Sequence, residues 1–303
     1  MKKQGRAKQQ EQVRQRARER LLEGVPVTER QVHLAGVTTT VLEGGQGSPL
    51  VLLHGGIESG GVYWAPVISR LAESHRVVVP DLPGLGESAP APRLDAEFFA
   101  DWFAQLFQVT GMDKPTVIAH SLLGSMDSRF AAEHSDLLGR LVIYAAPAIG
   151  PYRVPLGLMV IAIRFSLRPT ERNSERFNSW GFHDFDRARR RDPEWYGAWD
   201  DYVRERGAVP HVKRTMRRLI KTETKQIPEV ELRNISCPTA LLWGRHDRFV
   251  SLQVGESASD RFGWPLHVVE ETGHVPHIER PGAFLRAFAE IEATQQPRKA
   301  PQP

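Results

Sequence analysis

From residue 29 onward the chain alternates short apolar or β-branched runs with longer stretches of helical period. Residues 29–34 and 37–42 flank Ala35-Gly36, a spacing that predicts a β-hairpin. Residues 49–53 are a continuous apolar run ending in His54-Gly55-Gly56, and glycines after a buried strand let backbone approach a ligand closely. A helix over 62–73, a strand at 75–79 and a rigid loop from Pro80 to Gly86 follow. Residues 95–110 predict an amphipathic helix, 116–119 a short buried strand, 122–134 a helix and 140–145 another strand. The rhythm resumes after residue 236, with strands at 238–243 and 266–269 and helices at 252–261 and 282–293. Strands and helices alternating at this spacing predict an α/β fold, with a mostly parallel sheet covered on both faces.

Between 147 and 236 the alternation stops. The stretch has no strand pattern, and helical pieces are expected at 187–206 and 209–222. At 154–165 an apolar run broken by Pro155, Gly157 and Arg164 predicts a buried or lid helix. An all-helical insertion in an α/β sheet is most simply a lid. The expected organisation is a basic polar extension over 1–24, a core built from 25–146 and 237–295, a helical lid over 147–236 and a disordered tail over 296–303.

A length of 303 residues and an apolar fraction of 41% support one large α/β domain with an inserted subdomain. No run approaches the roughly 18 apolar residues of a membrane span, so no stable membrane insertion is expected. The polar, basic N-terminus lacks the apolar centre of a secretory signal, and a cytoplasmic location is the expectation. Cys237 is the single cysteine, which excludes an internal disulfide and a cysteine-rich metal site. The net charge of +4 is unevenly spread, because residues 1–24 carry eight Lys/Arg against three Glu. The high pI therefore belongs partly to that extension, which argues against a nucleic-acid partner. With almost nothing apolar before Leu21-Leu22, the extension is expected to be solvated and to bury no face.

Candidate chemistry centres on Ser121, caught between a strand end and a helix start. A sharp turn there exposes the hydroxyl beside the N–H groups of the new helix, although a capping serine in an ordinary βα turn gives the same pattern. A serine becomes a nucleophile when a base takes its proton and a carboxylate orients that base. Two downstream loops supply such groups: residues 244–250 hold Asp247, and residues 271–278 hold His274, with His277 as its competitor. Gly273 before His274 suits a tight loop. All three loops follow strands, where ligands bind in open α/β sheets. His54 and His120 are expected to support loops, Cys237 to fill core space, and Asp81 to brace its Pro/Gly loop.

Four motifs in this order and spacing resemble the α/β-hydrolase fold superfamily, in the branch containing serine esterases, C–C bond hydrolases and cofactor-free haloperoxidases. They are His54-Gly55-Gly56, Asp81-Leu82-Pro83-Gly84-Leu85-Gly86, His120-Ser121 and the Asp247/Gly273-His274 pair, and the resemblance covers roughly residues 29–293. It implies an eight-stranded, mostly parallel sheet with helices on both faces and a helical lid. It implies Ser121 as nucleophile, His274 as general base and acid, Asp247 as orienting carboxylate, and an oxyanion hole from the backbone N–H groups of Leu122 and Gly56. No metal and no organic cofactor are implied. The implied activity is hydrolysis of a carboxylic ester or related acyl bond of a small molecule through an acyl-enzyme. C–C bond hydrolysis of a vinylogous diketone would use the same triad. Dehalogenases and epoxide hydrolases of this fold use an aspartate nucleophile, and no carboxylate stands at this elbow.

The sequence departs from the superfamily's G-x-S-x-G elbow, with Ala119 and Leu123 in the glycine positions. Leucine at the tightest part of the turn predicts crowding, relieved by Gly124 and Ser125 or else distorting the elbow, which adds a weak or inactive ligand-binding protein as a third expectation. Residues 147–236 hold eighteen Lys/Arg against twelve Asp/Glu. These form a solvated surface paired with an acidic core, or place Lys213-Arg214 or Arg217-Arg218 to attract a carboxylated or CoA-like substrate. Trp180, Phe182, Phe185, Trp195, Tyr196 and Trp199 either line an apolar acyl pocket or pack the insertion itself. Oligomeric state leaves no mark on the sequence.

Overall fold

The hairpin forms as expected: β1 (Thr28–Leu34) pairs antiparallel with β2 (Val37–Gly44) across Ala35 and Gly36 at φ 46° and 80°, the paired left-handed residues of a tight hairpin turn. The other strands are β3 (Ser48–Leu53), β4 (His75–Pro80), β5 (Thr116–His120), β6 (Arg140–Tyr144), β7 (Thr239–Gly244) and β8 (Leu266–Val269). All eight join one sheet in the order β1-β2-β4-β3-β5-β6-β7-β8. β2 meets β4 antiparallel, and every pairing from β4 to β8 is parallel. Parallel strands covered on both faces must be apolar throughout; Leu50, Val51, Val77, Val78, Ile118 and Val142 are fully buried. The computed structural model describes residues 17–294, so the expected tail at 296–303 and the first sixteen residues of the expected extension lie outside the described residues.

The covering helices are α1 (Ala65–Leu71), α2 (Ala96–Thr110), α3 (Ser121–His134), α10 (Leu252–Phe262), α11 (Pro276–Glu279) and α12 (Pro281–Ala293), and six more, α4 to α9, are inserted between β6 and β7. The helix expected at 62–73 starts instead as a 3₁₀ turn over Gly60–Trp64 and becomes α-helical at Ala65. Pro66, whose missing N–H suits a first helical turn, marks the change. Asp95 caps α2 by accepting from the Phe98 N–H at 3.0 Å, and Gly111 ends it at φ 63°.

The insertion comprises α4 (Leu156–Leu167), α5 (Glu171–Gly181), α6 (Phe185–Arg191), α7 (Pro193–Ala208), α8 (Pro210–Glu223) and α9 (Glu229–Leu232). One helix was expected at 187–206, but the chain breaks at Asp192-Pro193. Proline cannot donate within a helix, and Asp192 opens the next one by accepting from the Trp195 N–H at 3.0 Å. Helix α5 was not anticipated, since its polar sequence shows little apolar period; Thr170 caps it. Helix α4, expected as a buried or a lid helix, is not a buried one. Only Leu158 and Phe165 are buried, the latter stacked on Phe177 at 5.6 Å, while Leu156 and Leu167 are 75% and 69% exposed.

Residues 17–22 are helical and are not a solvated extension. Ala17 and Leu21 are buried in the main hydrophobic core. Between them the Arg18 guanidinium donates to Glu29 at 2.7 Å and to the Tyr202 hydroxyl of α7 at 3.1 Å, and lies 3.4 Å from Asp81. The Tyr202 hydroxyl donates in turn to Glu87 at 2.7 Å. One turn with two apolar residues and a buried cation lacks the continuous stripe by which an amphipathic helix is recognised. Among the described residues no helix is long and apolar enough to cross a membrane.

Candidate active site

β5 ends at His120 and α3 begins at Ser121, so Ser121 itself must turn the chain. It does so at φ 53°, in the left-handed region, where a non-glycine residue costs on the order of 1–3 kcal/mol and needs firm surroundings. The sheet supplies them, since β5 lies between β3 and β6. The next residue, Leu122, is in the first helical turn, where backbone N–H groups have no intrahelical acceptor.

Asp247 follows β7 and His274 follows β8, and the structure brings both to Ser121. Asp247 Oδ1 accepts from the N–H groups of Phe249 at 2.8 Å and Val250 at 2.9 Å, which aims Oδ2 at His274 Nδ1, 2.7 Å away. His274 Nε2 lies 3.0 Å from Ser121 Oγ. An ionised carboxylate only accepts, so Nδ1 carries the ring proton and Nε2 is left to accept from the serine hydroxyl. All three side chains are buried. The arrangement can draw a proton off Ser121 and hold the resulting imidazolium against a carboxylate.

The main chain of His274 is fixed as well. Its N–H donates to the Gly181 carbonyl at 2.6 Å, and its carbonyl accepts from His120 Nε2 at 2.9 Å. His120 Nδ1 is then free to accept from the Tyr63 hydroxyl at 3.2 Å. Burial holds the His120 ring well below the usual histidine range, so it serves as a neutral prop. His277 does not reach Ser121; its Nδ1 lies 3.0 Å from the Tyr144 hydroxyl, and its ring packs 4.4 Å from those of Tyr63 and Trp64. His54 accepts from the Leu82 N–H at 3.0 Å, with burial pushing its pKa down to about 3. Asp81 braces its loop through the N–H groups of Gly61 at 2.5 Å and Glu87 at 2.8 Å.

The Gly56 N–H donates to the His54 carbonyl at 2.9 Å, so to hold an oxyanion it would have to exchange that partner. Gly56 sits at φ 70°, where a Cβ would lie 3.2 Å from that of Leu122. Glycine therefore brings the β3 loop against the elbow. Leu123 does not crowd the turn. The tight approach falls one residue later: a Cβ on Gly124 would stand 2.7 Å from the Ala119 carbonyl and 2.9 Å from the Ala146 Cβ. Leu123 is 1% exposed in the hydrophobic core. Leu123→Gly is expected to destabilise the protein by about 3 kcal/mol, from lost burial and a glycine in the helix, without raising its rate. Urea unfolding and ester turnover of the variant check this.

A cavity of about 400 Å³ opens over Ser121 with mainly apolar walls, including Ile57, Tyr152, Leu158, Phe165, Phe177 and Met216. Of the six expected aromatic residues, Phe182 and Trp199 line it. Phe185, Trp195 and Tyr196 pack against these two and one another, and Trp180 lies under Arg248. Lys213 and Arg217 reach the cavity, whereas Arg218 donates to the Pro92 carbonyl. Two contributors went unnoticed in the sequence. Glu58 lines the cavity, where desolvation pushes its carboxyl up to about 7; its place two residues after Gly56 was the available signal. Glu279 accepts from the N–H groups of Gly273 and Asp184, each at 2.7 Å, tying the His274 loop to the insertion; nothing local announces it. Among the described residues no group of three or more His, Cys, Asp or Glu side chains is placed to hold a metal ion.

A sequence model described as the alpha/beta hydrolase family matches residues 50–287. The pimeloyl-acyl-carrier-protein methyl ester esterase of Chromobacterium violaceum is 29% identical over 262 residues, which is 83% of this chain and 96% of that protein. The soluble epoxide hydrolase of Corynebacterium sp. strain C12 is 36% identical over 145 residues, 46% of this chain and 50% of that protein. The match to that second relative thus spans only half of its length. Among solved structures, the 2-hydroxy-6-oxo-6-phenylhexa-2,4-dienoate hydrolase of Rhodococcus sp. strain RHA1 shares the fold with a TM-score of 0.76 at 21% identity, covering 89% of this chain and 100% of that one.

Proposed function

The chain belongs to the alpha/beta hydrolase family, and from that premise we propose that it is a serine hydrolase cleaving a carboxylic ester, or a related acyl bond, of an apolar small molecule. The observation that carries this reading is the hydrogen-bonded series from Asp247 through His274 to Ser121, at 2.7 and 3.0 Å. Ser121 Oγ attacks the carbonyl carbon as its proton passes to His274 Nε2, and Asp247 stabilises the imidazolium. The developing oxyanion accepts from the Leu122 N–H, and from the Gly56 N–H once that group exchanges its present partner. Collapse breaks the ester bond, and the leaving alcohol takes the proton from Nε2. Water, deprotonated by the same nitrogen, then hydrolyses the acyl-serine. Helices α4 to α9 act as a lid over the cavity. Its mainly apolar walls suit an apolar acyl group, and a serine at the elbow favours acyl transfer over epoxide opening.

A fluorophosphonate probe tests the reading directly. The protein is expected to be labelled and Ser121→Ala not, while both unfold at similar temperatures. A folded protein that resists the probe refutes the proposal. Turnover of a vinylogous diketone far above that of nitrophenyl esters would move the assignment to C–C hydrolysis.

A further inference from the structure

Large exposed apolar side chains are concentrated at one place on this protein. Among the described residues Leu156, Met159, Val160, Ile163 and Leu167 stand exposed on α4, and Ile220 on α8; only Val109 and Val230 lie elsewhere. Isolated apolar residues on a surface need no account, but a contiguous patch does. The α4 residues recur at helical spacing and form one stripe, on the side away from the buried Leu158 and Phe165. Met159, Ile163, Leu167 and Ile220 also line the cavity over Ser121. The patch and the mouth of the cavity are the same place.

Lys213 and Arg217 reach the cavity, which Glu58 also lines. Residues 151–168 contain Arg153, Arg164 and Arg168, residues 209–222 contain Lys213, Arg214, Arg217, Arg218 and Lys221, and neither stretch has an Asp or Glu. Among the described residues none of these eight is held in an ion pair. Elsewhere in the insertion Arg189 pairs with Glu175 at 2.6 Å, Arg204 with Asp200 at 2.8 Å and Arg233 with Glu229 at 2.5 Å, whereas Arg172, Arg176, Arg190 and Arg191 are held in no ion pair among the described residues. An apolar helix face among unpaired cations matches the interface of an anionic bilayer, where the stripe enters the acyl boundary and the cations meet lipid phosphates. A second copy of the chain fits less well, because a two-fold contact on this face would set the same cations against each other.

We propose that the cavity mouth docks on an anionic phospholipid surface through the outer face of α4. Apolar acyl substrates would then pass from the bilayer to Ser121 without crossing water. That second step rests on the serine-hydrolase reading, and the docking does not.

Sedimentation of the full chain with lipid vesicles tests this. Phosphatidylcholine vesicles containing about 30 mol % phosphatidylglycerol are expected to bind the protein at least tenfold more tightly than phosphatidylcholine alone. Ile163→Glu with Leu167→Glu should weaken binding to the anionic vesicles at least tenfold with thermal unfolding unchanged. Arg164→Gln with Arg217→Gln should weaken it about tenfold. Val109→Glu, on α2, should bind as the parent does. Ser121→Ala should also bind normally while losing turnover, so docking and catalysis fail separately. Failure to sediment with anionic vesicles, or undiminished binding by the Ile163→Glu and Leu167→Glu variant, overturns the proposal. So does a dimer in light scattering that this variant converts to monomer, which would assign the patch to a second copy.

Discussion

Asp247→Asn is expected to lower kcat on an ester substrate by about 10⁴-fold and to leave the fold intact. The amide oxygen can still accept from the N–H groups of Phe249 and Val250, so the loop keeps its shape. What changes is the atom facing His274. An NH₂ group in place of Oδ2 makes the imidazole present the lone pair of Nδ1 and carry its proton on Nε2. Nε2 then meets Ser121 as a donor and cannot take its proton. Thermal unfolding beside kcat for the parent and the variant checks both halves. A loss below about tenfold would mean that Asp247 only shapes the loop, and that His274 needs no orienting carboxylate.

Asp127→Asn is expected to stabilise the protein at alkaline pH by on the order of 5 kcal/mol, with little effect near pH 4. Asp127 lies in α3, six residues after Ser121, fully buried, and neither carboxylate oxygen has a hydrogen-bond partner among the described residues. Burial pushes its pKa up to about 8. An unfolded aspartate ionises near pH 3.9, about where the two states begin to differ. Between that value and about 8 the folded protein holds a proton that the unfolded chain has released, so stability falls as pH rises; above about 8 the loss levels off. The asparagine variant cannot ionise and lacks this slope. Melting temperatures of both proteins from pH 4 to 9 should diverge steadily and then run parallel. Parallel curves throughout would show that Asp127 finds a partner.

The sheet and the three loops over it were legible because their signals are local. Most of the parallel strands are short, largely apolar runs bounded by glycine, proline or a polar turn, and Ser121, Asp247 and His274 each follow a strand. What was not legible depends on partners distant in sequence. Arg18 reads as one more cation in a basic segment until Glu29, Asp81 and Tyr202 surround it. Glu279 gains its role from Gly273 and Asp184 together, and only folding brings the insertion to the His274 loop. For Leu123 two outcomes stood open, relief at Gly124 and Ser125 or a distorted elbow, and the close approach of α3 to Ala119 and Ala146 falls at Gly124. For helix α4 composition left a buried helix and a lid helix both open, and its surroundings do not provide the burial.

The buried Arg18 also bears on how the gene can be cut and joined. An α/β domain trimmed to its first strand would begin near Thr28 and appear complete by its sheet. It would lack the guanidinium that lies between Glu29 and Asp81, and the link from there to Tyr202 of the insertion. Removing one member of a buried charge cluster leaves its partners desolvated and uncompensated. Residues 17–22 are therefore part of the minimal folding unit, and a fusion partner or affinity handle belongs ahead of them.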